Sequence, residues 1–440
     1  MILPSAVTQC ISALEGAGHA AYVVGGCVRD ACLGLTPHDF DLCTSALPEE
    51  TEAVFSGRSL VLAGKKHGTI GVVTDRGVVE ITTFRTEGGY QDSRHPDWVK
   101  FVPNVADDLA RRDFTVNAMA WSPTRGFADP FGGREDLDRK CLRAVGDPVL
   151  RFREDPLRIL RGVRFAVRFH LEVEPETERA MFSQAGLMEH LARERVFDEL
   201  CKLLPLVNAQ DLGRFAPILA AVIPELAPMI GFDQRSPHHA YDLFTHTAHV
   251  VEAVPPELTI RWAALLHDVG KVPSFTTDVT GRGHFYGHAS AGADLADEIL
   301  RRLKAPNALR EEAVTLIRQH MTRLDTNKKT LRRQVGRLGW DTAYALLSLQ
   351  EADMGSKGIG NPEELNQFPQ LRALLAGLQA ENACLTVKDL AVNGHDLMAL
   401  GYTGREIGET LNVLLEGVLD ERLPNEKDAL LACAKRDILK

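Results

Sequence analysis

Hydrophobic and polar positions change their period once along this chain. Up to about residue 145, short apolar and β-branched runs alternate with stretches of helical spacing. From Pro148 the spacing stays helical almost to Lys440. Strands are expected at 22–25, 40–43, 59–62, 69–74, 78–84 and 99–102, with a hairpin around Asp75-Arg76-Gly77. The apolar run 20–24 ends at a glycine pair, and 28–33 reads as the helix that starts behind it. Proline and glycine turns near Pro224, Pro237, Pro255-Pro256, Pro273, 281–283 and 355–360 divide the helical part. The pattern predicts an α+β chain: a mixed α/β head at 1–145, then an all-α remainder.

Length adds a domain count. At 440 residues the chain has room for roughly two to four domains, each with a buried core. A hydrophobic fraction of 45% and a charged fraction of 25% describe an ordinary globular protein. The eight cysteines form no C-x-x-C pair and sit among apolar or small residues, so reduced core thiols are expected rather than disulfides or a zinc knuckle. A formal net charge of -10 rules out a surface that is basic all over, so contact with nucleic acid would fall to local basic patches. No apolar run reaches about 18 residues, and the N-terminus lacks a basic region followed by an apolar stretch, so a cytoplasmic protein with no membrane partner is expected.

The candidate chemistry begins at Gly25-Gly26-Cys27-Val28-Arg29-Asp30. A glycine turn leading into a helix offers backbone N–H groups to a triphosphate, and Arg29 adds charge. Asp39 and Asp41 follow, two residues apart, so on a strand their side chains share a face that can hold two Mg²⁺ ions. Together these features point to nucleotidyl transfer. Glu80, the one acid in the apolar run 78–84, is a third catalytic carboxylate, or equally an edge-strand glutamate facing water. Arg111-Arg112-Asp113-Phe114-Thr115-Val116-Asn117 reads as the first turns of a helix. There Asp113 and Asn117 share a face suited to ribose hydroxyls, and the arginines are suited to phosphates. Further on, Glu154-Asp155-Pro156-Leu157-Arg158 reads as a helix start with Asp155 and Arg158 three apart. A carboxylate accepts from an exocyclic amine and a guanidinium donates to ring acceptors, so one such pair can take C and A while rejecting U and G. Arg158, Arg161 and Arg164 recur along one side of that helix, where they can meet a triphosphate or an RNA end, or simply be solvated.

These motifs resemble the class II branch of tRNA nucleotidyltransferases and bacterial poly(A) polymerases, with a polymerase β-like head. The resemblance covers nearly the entire chain and is strongest over 22–165. It implies catalytic and metal-binding roles for Asp39 and Asp41, with Glu80 third. It implies nucleotide contacts for Gly25, Gly26, Arg29, Arg112, Asp113, Asn117, Glu154, Asp155, Arg158, Arg161 and Arg164, with Glu154 orienting Arg158. The implied substrates are tRNA, CTP and ATP, with Mg²⁺ as cofactor and addition of C, C and A as the reaction; poly(A) synthesis or addition of A alone is the nearest alternative. Asp129-Pro130-Phe131-Gly132-Gly133 resembles the family's connector between head and a neck at 146–230. The polar loop from Gly88 to Pro96 resembles the element that lets the site switch from CTP to ATP.

A second constellation lies at 231–360. His246, His267-Asp268, His288, His320 and Asp353 sit on helical stretches and can converge, and imidazole with carboxylate suits Mn²⁺, Fe²⁺ or Ni²⁺. In order they resemble the two-metal members of the HD phosphohydrolase superfamily, with His284 competing for the place of His288; this implies a divalent transition metal and phosphatase or phosphodiesterase activity. The final segment, 361–440, resembles the body and tail of Gram-positive-type enzymes. That likeness implies a grip on tRNA to which Lys328, Lys329, Arg332, Arg333 and Arg337 can contribute.

Overall fold

The computed structural model describes residues 1–88, 98–237, 240–359 and 365–437. Most of the expected loop between Gly88 and Pro96 therefore lies outside the described residues. The chain forms two compact units: Met1–Val207 with Arg214–Ala227, and Asn208–Gly213 with Pro228–Lys440. The first holds the sheet expected for the head together with the helices expected for the neck.

In the first unit, α1 (Ser5–Gly16), β1 (Ala21–Val24), α2 (Gly26–Cys32), β2 (Asp41–Thr44), α3 (Pro48–Val54), β3 (Leu60–Val61), β4 (Thr69–Thr74) and β5 (Gly77–Thr83) follow the expected alternation. β6 (Arg85–Gly88) and β7 (Trp98–Phe101) form a separate hairpin, and after α4 (Val105–Ala110) come β8 (Ala120–Ser122) and β9 (Gly126–Ala128). The main sheet has seven strands in the order β3-β4-β5-β2-β1-β8-β9, and β2 and β5 are its parallel pair. The sequence pattern did not reveal β6, β8 and β9, which are three or four residues long and too short to show a period. Val24 of β1, Cys43 of β2 and Ala120 of β8 pack in one core cluster with Phe84, which follows β5, and Leu109 of α4.

Two local expectations change. Residues 111–119 do not begin a helix: α4 ends at Ala110, and only a single 3₁₀ turn, Thr115–Asn117, follows. The carbonyl of Asp113 accepts from Val145 and the N–H of Thr115 bonds Arg143, so pairing with a distant segment replaces helical bonds. Nor does Glu154 start a helix. After α5 (Gly133–Asp138), α6 runs Pro148–Glu154 and α7 Leu157–Phe169. Asp155 between them is extended, as the residue before a proline tends to be. α9 (Arg193–Leu203) packs against α7, and α8 (Pro175–Gln184) against α6.

α10 (Ala209–Val222) is followed by the helices of the second unit: α11 (Leu243–Ala253), α12 (Leu258–Leu266), α13 (His288–Arg302), α14 (Asn307–Gln319), α15 (Lys328–Leu338) and α16 (Trp340–Gly355). Further helices at Gln367–Ala380, Gly394–Met398, Arg405–Leu419 and Lys427–Asp437 complete it, the last three around Leu397, Leu414 and Leu430. All eight cysteines are free thiols.

Candidate active site and a second, histidine-rich centre

At the end of β1 the chain turns through Gly25 at φ 77°, a left-handed value that favours glycine. A side chain at Gly25 would meet the guanidinium of Arg112 at 2.9 Å, so Arg112 lies directly across the turn. Arg29 is placed differently from expectation. It is buried, donates to Asp30 and to Asn117 Oδ1 (2.6 Å), and lies over the rings of Phe169 and Phe165 at 4.3 and 5.3 Å. Arg112 thus faces Gly25, while Arg29, whose Nη2 lies 3.6 Å from where a Gly26 Cβ would be, ties α2 to α7.

Asp41 opens β2, next to Glu80 on β5, and Asp39 stands just before the strand rather than on it. All three are exposed, Asp41 at the open end of the strand whose next residue on that face, Cys43, is buried. Burial pushes the Asp41 carboxyl up, Glu80 and Asp39 add to the effect, and Arg112 opposes it. This mutual repulsion, on an all-oxygen donor set, fits a hard divalent cation.

Asp113 is the hub of the next layer. Its Oδ2 takes two bonds from Arg161 (2.8 and 2.6 Å), and its Oδ1 takes one from Asn117 Nδ2 (3.1 Å). Burial pushes this carboxyl up, but Arg161, Asn117 and Arg158 more than reverse it, to about 2. Asn117 thus bridges Arg29 and Asp113. The connector closes on the same turn: Asp129 caps the Gly133 and Arg134 N–H groups, and Gly133 passes so close to Thr115 that a Cβ would lie 2.1 Å from its carbonyl oxygen.

At the junction of α6 and α7, Arg158 donates to Glu154 Oε2 (2.7 Å) and to the carbonyls of Arg151 (3.1 Å) and Arg111 (2.9 Å). Asp155 does not pair with Arg158. Its Oδ1 accepts from the Leu157 N–H (3.1 Å) and its Oδ2 from Arg195 Nη2 of α9 (2.8 Å). Each group is held by third parties and keeps bonding capacity to spare. Arg164 is turned inward onto Glu199, also of α9, with Nε 2.6 Å from Oε2. The sequence reading missed Arg195, Glu199 and Asp108. Asp108 follows Asp107, Glu199 follows Asp198, and Arg195 sits among other charges, so none stands out locally as Glu80 does in its apolar run.

The second unit brings His246, His267, Asp268, His288, His320 and Asp353 together. His246 Nε2 is 3.1 Å from Asp353 Oδ1 and 3.6 Å from Asp268 Oδ2, and His267 Nε2 is 3.1 Å from Asp268 Oδ2. His288 and His320 approach Asp268 Oδ1 at 3.5 and 3.9 Å. Two triads suited to a metal ion result, His246/His267/Asp268 and Asp268/His288/His320, sharing Asp268. Every Nδ1 of the four histidines faces a backbone carbonyl: Ser356, Ala264, Phe285 and Ile317 respectively. In the neutral ring this leaves the Nε2 lone pair pointing at the centre. Burial, with His267 nearby, lowers His320 to about 4, which keeps it neutral. Despite burial, Asp268 is held well below the usual carboxylate range by His267 and Lys271, whose Nζ lies 2.7 Å away. His284 is not in the cluster: it bonds Asp278 at 2.9 Å and stacks on Tyr286. A cavity of about 300 Å³ opens onto Asp268, His288, His320 and Asp353, with Lys271 and Lys357 in its wall.

The basic stretch on α15 is largely neutralised. Lys328 pairs with Glu381, Arg332 with Glu421, and Arg333 with Glu416 and Asp420.

A glycine turn crossed by an arginine, beside three carboxylates on a mixed sheet, defines a nucleotidyltransferase, and the comparisons agree. Residues 21–143 match the Poly A polymerase head domain, 170–211 the probable RNA and SrmB-binding site of polymerase A, and 288–434 the putative domain 2 of tRNA nucleotidyltransferase. A CCA-adding enzyme of Streptococcus suis is 48% identical over 441 residues, covering 98% of this chain and 97% of the relative. An A-adding tRNA nucleotidyltransferase of Deinococcus radiodurans is 35% identical, with 90% and 91% covered. The crystal structure of the Bacillus stearothermophilus CCA-adding enzyme in complex with CTP superposes with a TM-score of 0.75 at 30% identity, covering 99% of this chain and 98% of that one. The chain belongs to the CCA-adding enzyme family of tRNA nucleotidyltransferases. Among the described residues no helix is long and apolar enough to cross a membrane.

Proposed function

We propose that this protein completes tRNA 3′ ends, adding C, C and A from CTP and ATP without a nucleic-acid template. The observation that carries the reading is the pair Asp155 and Arg158, fixed independently by Arg195 and Glu154. Asp155 accepts from the exocyclic amine of C or A. Arg158, whose Nε–H and one Nη2 hydrogen have no partner among the described residues, donates to the base's ring acceptors. U and G present a carbonyl and an N–H in those places and are rejected.

Asp39 and Asp41, with Glu80, hold Mg²⁺, which when bound supplies positive charge at the reacting phosphate. Arg112 and the Gly25-Gly26 turn hold the triphosphate, and Asp113, Asn117 and Arg161 meet the ribose side. The tRNA 3′-hydroxyl attacks the α-phosphate in line and pyrophosphate leaves, so the chain's contribution is positioning and electrostatics. Arg29 and Arg164 brace α7. This divides the chain into a head at 1–145 for chemistry, a neck at 146–230 for base reading, and helical parts at 231–360 and 361–440. The test is incubation with Mg²⁺ and tRNA lacking its CCA end. CC from CTP alone and CCA from both nucleotides are expected, whereas A added only to tRNA already ending in CC would assign the protein to the A-adding relatives.

A second activity is favoured by the four Nδ1–carbonyl bonds, which aim the imidazoles at Asp268. His246, His267, Asp268 and Asp353 suit one divalent transition metal, and Asp268, His288 and His320 a second, which when bound would activate water for phosphoester hydrolysis. On this reading the centre works as an HD-type phosphohydrolase site. Hydrolysis of p-nitrophenyl phosphate or a 2′,3′-cyclic nucleotide by Mn²⁺- or Ni²⁺-loaded protein, lost in Asp268→Asn, is expected. No hydrolysis with any of these metals would leave the centre a structural brace.

A further inference from the structure

Asp108 is a fully buried carboxylate on α4 that the transfer chemistry does not use. Its Oδ1 accepts from the Arg111 Nε–H (3.0 Å) and from the backbone N–H of Arg85 (3.2 Å), the first residue of β6. Its Oδ2 makes no hydrogen bond and lies 3.5 Å from Nη2 of Arg112. Arg112 in turn has a buried Nε without a hydrogen-bond partner among the described residues, and its other end crosses the Gly25 turn. Arg112 also stabilises the ionised form of Asp41. It therefore interacts with two acids, one buried and one at the candidate cation site.

We propose that Asp108 is a positioning residue for the triphosphate, holding Arg112 back from the catalytic carboxylates and anchoring it to the β6–β7 hairpin. The proposal rests on the reading of Arg112 as a phosphate ligand. Without the buried charge, the ionised Asp41 remains to attract Arg112. A guanidinium drawn there neutralises an acid needed for Mg²⁺ and leaves the glycine turn without its cation. α4 has a second output. The carbonyls of Ala110 and Arg111 accept from Arg151 and Arg158, so the element that sets the phosphate arginine also supports the base-reading one.

Tripolyphosphate, which has no base or ribose, isolates the phosphate arm. In the full-length protein, its inhibition of CTP incorporation is measured for Asp108→Asn, Arg112→Met and the double variant, together with KM and kcat for CTP and binding of tRNA. Asp108→Asn is expected to weaken tripolyphosphate and raise the KM for CTP by roughly tenfold or more, as loss of a charged buried contact does. Binding of tRNA should stay within about twofold, and the double variant should be no worse than Arg112→Met alone, because one residue acts through the other. If Asp108→Asn does not fold, Asp108→Ser takes its place in the same cycle. Impaired Arg112→Met beside a normal Asp108 variant, or additive losses, overturns the proposal alone. Undiminished inhibition in Arg112→Met overturns the phosphate reading and the proposal with it.

Discussion

Arg195 donates to Asp155 across 2.8 Å, from a helix 40 residues further along the chain. The bond fixes the carboxylate to which we assign base choice, while the Leu157 N–H fixes its other oxygen.

Asp155→Asn therefore changes selectivity rather than fold. An amide can present either a donor or an acceptor, so incorporation of U should appear, while kcat/KM for CTP falls by about ten- to a hundredfold. Arg195→Met should shift fidelity in the same direction with a smaller loss. Single-nucleotide extension assays with each of the four nucleotides measure both.

Asp41→Asn removes an exposed carboxylate to which we assign Mg²⁺ binding. Transfer should fall by on the order of a hundred- to a thousandfold or more. The melting temperature should stay unchanged or rise slightly, because repulsion with Glu80 and Asp39 is relieved. Metal binding in the second unit should be unaffected.

Asp113 links stability to acid. Its folded-state carboxyl lies at about 2, below an ordinary value of 3.8, so it is a depressed carboxylate. It stabilises the fold above the ordinary value, and that contribution, about 2 kcal/mol, is lost as pH falls from near 4 through about 2. Urea midpoints across that window should fall less steeply for Asp113→Asn than for the parent protein.

Gly270 packs against the start of α13, where a Cβ would lie 2.3 Å from the His288 carbonyl and 2.4 Å from the Gly292 nitrogen. Gly270→Ala must push α13, and His288 with it, away from Asp268. A destabilisation on the order of 2–4 kcal/mol is expected, with loss of one of two bound Mn²⁺ ions. Thermal melts and metal titration by calorimetry separate the two effects.

The sequence by itself determined the change from mixed α/β to all-α, the strands that border the site, and the residue types of both centres. It could do so because glycine turns, β-branched runs and acids in apolar stretches are local signals. Tertiary structure decided how those residues are used. Arg29 faces inward because Phe165 and Phe169 give its guanidinium a surface and Asn117 an acceptor, while Arg112 takes the glycine turn. Asp113 and Asn117 meet across a turn rather than along a helix because strand-like bonds to Arg143 and Val145 claim that backbone. His288 rather than His284 joins the metal cluster because Asp278, six residues before His284, holds its ring. Asp108, Arg195 and Glu199 acquire their roles only when helices distant in sequence are packed together, since a charge's partner is set by what lies within a few ångströms and not by its neighbours along the chain.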